Sequence, residues 1–139
     1  MYTVFTSDQV EQLLAVLQAT FGSLSVAYLY GSAAQDCMHA ESDIDVAVDI
    51  GRPLTSAERW DAAQKLSISM KRDVDLVDFR DASDVLRQQI LTAGRRIFVH
   101  DAVAQSSYEA GVLSEYLDFV ARRAPLMQDI AARGAVYAK

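Results

Sequence analysis

The residues best able to do chemistry in this sequence fall in one short stretch. It runs Leu29-Tyr30-Gly31-Ser32, then ten residues, then Asp43-Ile44-Asp45. A glycine and a serine at the end of an apolar run let the backbone approach a phosphate closely. The exposed amides and the Ser32 hydroxyl can then donate to its oxygens. Asp43 and Asp45 stand two apart at the head of a second apolar run, so in a strand both carboxylates project from the same face. Two carboxylates that close repel each other and raise one another's pKa. A divalent cation removes the conflict, and hard oxygen donors with open positions suit Mg²⁺ bridging substrate phosphates.

A third apolar run, Asp73-Val74-Asp75-Leu76-Val77-Asp78-Phe79, offers Asp73 and Asp75 on one face and Asp78 on the other. If it lies beside the second run, Asp75 or Asp73 completes a three-carboxylate site. Three carboxylates around two Mg²⁺ ions suit in-line phosphoryl transfer. One ion holds a triphosphate, the other lowers the pKa of the attacking hydroxyl, and a carboxylate can serve as base. Glu41 and Ser42 are placed to orient Asp43; Ser42 is also a candidate nucleotide contact, or a cap of the turn. Asp49 and Asp78 are expected to be surface or structural. His39 and His100 have no partner at metal-ligand spacing, and Cys37 lacks a context that would activate it.

Elements must position these residues. Thr6 with Gln9, and Thr55 with Glu58, have capping-box spacing. Val10, Leu13, Leu14, Leu17 and Phe21 make residues 7–21 an amphipathic helix. A second helix is expected from Thr55 to about Lys71, with Trp60, Ala63 and Leu66 on one face. Residues 25–30, 44–50, 73–79 and, more shortly, 96–100 fit strands. Ser83 or Asp81 should cap a helix carrying Val85, Leu86, Ile90 and Leu91, stopped by Gly94. From about Val103 the pattern is helical, with a stripe of Tyr108, Val112, Tyr116, Phe119 and Val120, and Pro125 expected to break or kink it. This order gives a mixed α/β or α+β domain with a C-terminal helical tail.

The chain has 139 residues, 51% of them hydrophobic and 23% charged, which suits one globular domain with a real core. The expected division is a catalytic core over about 8–101 and a helical segment over about 103–139. A net charge of −6 argues against gripping nucleic acid, and suits a metal, a cationic substrate or a basic protein partner. A single cysteine forms no internal disulfide, no signal peptide is evident at the amino end, and no run approaches the length that spans a bilayer. The expected setting is the cytoplasm.

The Gly31-Ser32, ten residues, Asp43-Ile44-Asp45 pattern resembles the signature of the DNA polymerase β-like nucleotidyltransferases. Over about residues 8–100 the chain looks most like the minimal MNT-domain antitoxins that pair with HEPN ribonuclease toxins. The resemblance implies a minimal nucleotidyltransferase fold: a small mixed sheet flanked by helices. It implies Asp43, Asp45 and Asp75 as catalytic metal ligands and Gly31 and Ser32 as triphosphate contacts. It further implies transfer of AMP from ATP, with Mg²⁺, onto a tyrosine hydroxyl of a HEPN partner, which silences the toxin. Many relatives carry a basic residue three positions after the serine and a glycine next to it. Here those places hold Gln35 and Asp36, which leaves Arg52, Lys71 or Arg80 as candidate substitutes.

Two rival classes follow from the same residues. One is an antitoxin that acts by contact alone, with a weak site. The other is a small-molecule nucleotidyltransferase of the aminoglycoside-modifying kind, although such enzymes usually add a larger helical substrate domain. A polymerase acting on RNA is disfavoured by the acidic balance.

Overall fold

A computed structural model describes residues 5–35 and 42–137, with side chains through residue 125. Helix α1 (Ser7–Phe21) opens with the full reciprocal capping box between Thr6 and Gln9. It is followed by β1 (Val26–Tyr30), a 3₁₀ turn over Gly31–Ala33, and β2 (Ile44–Asp49). Helix α2 (Ser56–Met70) is capped in the same reciprocal way by Thr55 and Glu58. Strand β3 (Val74–Asp78) ends in a second 3₁₀ turn, Phe79–Asp81. Helix α3 (Asp84–Ala93) starts where the Ser83 side chain accepts from the Leu86 amide. Strand β4 (Arg95–Val99) leads into the long α4 (Ala102–Tyr137).

The four strands form one mixed sheet in the order β3-β2-β1-β4. β1 is antiparallel to both neighbours, while β2 and β3 run parallel, joined by α2 as crossover. Alternation sorts the side chains. Ala27, Leu29, Val46, Val48 and Leu76 face Leu13 and Leu17 of α1 and Ala62 and Leu66 of α2. Val26, Tyr28 and Ala47 face Phe79, Ile90 and Tyr108 on the other side. Leu13 and Leu17 are fully buried, each worth roughly 1.5–3 kcal/mol of apolar transfer. Gly94 sits so close to the Leu29 carbonyl that a Cβ would lie 2.8 Å from its oxygen, which fixes the end of α3 against β1.

Two expectations are corrected. Trp60 does not share the buried face of α2; it is 66% exposed. The sheet-facing line is Ala62–Leu66–Met70, and Trp60, two residues before Ala62, is rotated about 200° away from it. Nor does Pro125 end the last helix, which continues through it to Tyr137. Proline removes one hydrogen bond, to the carbonyl four residues back. In a stretch where residues 117–125 are all exposed, water can take that carbonyl. The tail stripe is also only half buried: Tyr108, Val112 and Tyr116 pack, whereas Phe119 and Val120 are exposed.

Candidate active site

Strand register brings the chemical residues together. Tyr30, the last residue of β1, pairs with Asp45, and Asp45 pairs with Asp75 across the parallel β2–β3 ladder. Paired residues share a face, so Tyr30, Asp45 and Asp75 form a row at one end of the sheet. Asp43, two residues before Asp45, lies at the same end. Gly31 turns the chain away from this row with φ of +66°, in the region that favours glycine. A Cβ there would strike the Asp45 carboxylate. The glycine is therefore required twice, once by backbone conformation and once by the carboxylate packed against it. Ser32 is half-buried in the 3₁₀ turn that follows, and its carbonyl accepts from the Gln35 amide at 3.3 Å.

The electrostatics tie the row together. Partial burial pushes the Asp45 carboxyl above its usual range, and the charges of Asp75 and then Asp43 push it further. Tyr30 is also raised above the ordinary phenol range, by burial first and then by Asp45 and Asp75. At neutral pH its hydroxyl keeps its proton and remains a donor facing two acceptors. Sequence reasoning passed over Tyr30. The period of two in β1 places it on the face of Tyr28, but its neighbours become visible only once β1 is paired with β2.

The same register separates Asp75 from Asp73. Asp75 is the residue opposite Asp45 and the neighbouring charge that acts most strongly on it. Asp73 precedes the strand, is exposed, and uses its backbone carbonyl to accept from the Ile44 amide at 2.9 Å. Ser42, half-buried, immediately precedes Asp43. Asp36, Cys37, His39 and Glu41 lie outside the described residues.

The donor set fits a divalent cation. Three hard carboxylates sit at one end of the sheet, and the middle one bears the charge of both others. Among the described residues no three acidic, histidine or cysteine side chains already converge on one ion position. A bound cation would have to draw Asp43, Asp45 and Asp75 inward, and relief of their repulsion favours that movement.

Two of the three substitute cations are at the wrong end. Arg80 pairs with buried Asp49, whose strand partner is Val26 at the start of β1, and its guanidinium stacks 4.4 Å from the Tyr108 ring centre. Arg52 is engaged by Glu58 at 2.6 Å and follows the end of β2. Lys71 alone stands at the site end, as the left-handed cap of α2 two residues before Asp73. Asp49 and Asp78 are structural as expected: Asp49 accepts from the Gly51 amide at 2.8 Å, and Asp78 accepts from the Leu54 amide at 3.0 Å.

Comparison with known proteins places this chain in a family. The sequence profile of the family described as polymerase beta, nucleotidyltransferase, matches residues 11–102. The protein adenylyltransferase MntA of Shewanella oneidensis is 35% identical over 127 residues, covering 91% of each chain. A toxin–antitoxin complex solved with AMP-PNP contains a chain with TM-score 0.79 and 34% identity, covering 88% of this chain and 98% of that one. The complex of tri-AMPylated Shewanella oneidensis HEPN toxin with MNT antitoxin matches with TM-score 0.73 and 31% identity, over 88% of this chain and 95% of that one. With its Gly31–Ser32 turn set against the Asp45–Asp75 row, the chain belongs to the polymerase β nucleotidyltransferases, in the minimal form it shares with MntA.

Proposed function

We propose that this chain is an Mg²⁺-dependent protein adenylyltransferase and antitoxin, transferring AMP from ATP to a tyrosine hydroxyl of a HEPN ribonuclease toxin in the cytoplasm. The observation that carries this reading is the in-register Asp45–Asp75 pair directly beneath a glycine turn that tolerates no side chain. The similarity of nearly the whole chain to an adenylyltransferase, and to a chain from a complex with an AMPylated toxin, supports the acceptor class. Another complex among the relatives carries two aspartate-to-glutamate changes two positions apart, the spacing of Asp43 and Asp45.

In this reading the Gly31 and Ser32 amides and the Ser32 hydroxyl hold the outer phosphates, with Ser42 as a further nucleotide contact. Asp43, Asp45 and Asp75 hold Mg²⁺, which when bound offsets phosphate charge and eases deprotonation of the acceptor hydroxyl. One of the three carboxylates takes the phenolic proton. The tyrosine oxygen bonds to the α-phosphorus, the bond to the bridging oxygen breaks, and pyrophosphate leaves. Gln35, where the family resemblance leads one to expect a basic residue, supports a second reading, in which the chain silences the toxin by contact alone.

The two readings separate in a labelling experiment. ATP labelled at the α-phosphate should mark the toxin, and ATP labelled at the γ-phosphate should not. The Asp45→Asn variant should transfer about a thousandfold less label and should leave the toxin active. Silencing by that variant without ATP would instead establish inhibition by contact.

A further inference from the structure

Helix α4 overruns the body it packs on. Near its start, Ala104 and Gln105 line a cavity of about 180 Å³ with Ser25, the residue before β1. One turn on, Glu109 accepts from the Tyr28 hydroxyl and pairs at 3.1 Å with Arg96, the strand partner of Tyr28. These contacts climb β1 toward Tyr30 and Gly31. At helical rise the 36 residues of α4 span about 54 Å, whereas five-residue β1 spans only about 17 Å. The helix therefore leaves the sheet at the end that carries Gly31, Asp45 and Asp75.

Burial follows the same course. Val112 is buried, Leu113 and Tyr116 are half-buried, and every residue from Leu117 to Pro125 is exposed. Leu117 and Val120 continue the stripe of Leu113 and Tyr116 at three- and four-residue spacing, and they are 65% and 44% exposed. Phe119 beside them lies under the Arg123 guanidinium, 5.1 Å from its ring centre. An apolar stripe on a helix with no body beneath it is suited to another protein.

The position of the stripe indicates which protein. A protein whose tyrosine enters the site must lie against the Gly31 end of the sheet, and so alongside this helix. The likeness to the chain of the AMPylated-toxin complex covers 88% of this chain, more than the part that precedes Ala102, so it extends into α4. We propose that α4 beyond Tyr116 is the docking arm for the acceptor toxin, which packs an apolar surface on Leu117 and Val120 and is thereby held with its tyrosine at the site. This inference rests on the transfer reading above.

The test compares wild type with the Leu117→Glu/Val120→Glu double variant, using a HEPN toxin of the kind held in the related complex. Both positions are exposed, so AMP-PNP binding and the unfolding midpoint should not change. The KM for toxin should rise on the order of tenfold to a hundredfold, with kcat retained at saturation, and co-elution with toxin should weaken in parallel. Equal KM and equal co-elution for the two proteins would overturn the proposal. Self-association of the wild type that the double variant abolishes would make a second copy the occupant, and would also overturn it. A wild type that binds toxin but transfers nothing would instead contradict the transfer reading, and co-elution distinguishes that failure from failure of the arm.

Discussion

In the transfer reading Asp45 carries opposing demands, because the repulsion that would favour a cation there also disfavours its ionised carboxylate when no cation is bound. Its folded-state pKa is raised by burial and by Asp75 and Asp43. A raised acid pKa means that the ionised form is less welcome in the folded chain than in the unfolded one. The associated stability is present below the unfolded pKa and is lost as pH rises through the folded pKa. Asp45→Asn should therefore unfold later than wild type at pH 7 in the absence of cation, while the difference shrinks near pH 3. The same change should lower transfer about a thousandfold, equivalent to about 4 kcal/mol of barrier. Thermal unfolding at the two pH values, with a transfer assay at pH 7, checks both halves. Local spacing singled out Gly31, Ser32, Asp43 and Asp45, and the fold sets Gly31 against the Asp45 carboxylate. The choice between Asp75 and Asp73 was beyond it, since only the parallel register of β2 and β3 sets Asp75 opposite Asp45. Tyr30 escaped for the same reason.

At the scale of elements, caps and periodicity fixed the helices and strands closely. Both capping boxes form, and Ser83 caps α3. Residues whose fate depends on a tertiary neighbour were less legible. Trp60 has the apolarity of a core residue but the wrong angle on α2. The seat of α4 is a polar contact that composition could not reveal: the Tyr28 hydroxyl accepts from Gln105 at 2.8 Å and donates to Glu109. Tyr28 and Gln105 are both buried, so Tyr28→Phe would leave the Gln105 amide short of a partner. That change should cost about 1–3 kcal/mol in urea unfolding. It should leave the Asp43–Asp45–Asp75 cluster in place, because Tyr28 lies in the middle of β1 whereas Asp45 pairs with Tyr30 at its end. A loss no larger than for an exposed substitution would show that α4 is seated by its apolar contacts alone.

Across the whole molecule the charges are segregated by role. Arg52 and Arg80 are spent in ion pairs at one end of the sheet, while the carboxylates of the site gather at the other. Among the described residues no helix is long and apolar enough to cross a membrane. The folded chain should consequently gain stability from nucleotide and cation together. At a hundredfold excess over Kd, AMP-PNP with Mg²⁺ should add about 2.7 kcal/mol, EDTA should remove most of that gain, and Asp45→Asn should show little of it. An equal shift with and without Mg²⁺ would place the nucleotide somewhere other than beside the carboxylates. The central claim is the transfer itself, and intact-mass spectrometry of the HEPN toxin tests it most directly. After incubation with this chain, ATP and Mg²⁺, the toxin should gain the mass of one or more AMP groups, and it should gain none with Asp43→Asn. An unchanged toxin mass, with the two proteins still in complex, would contradict the account.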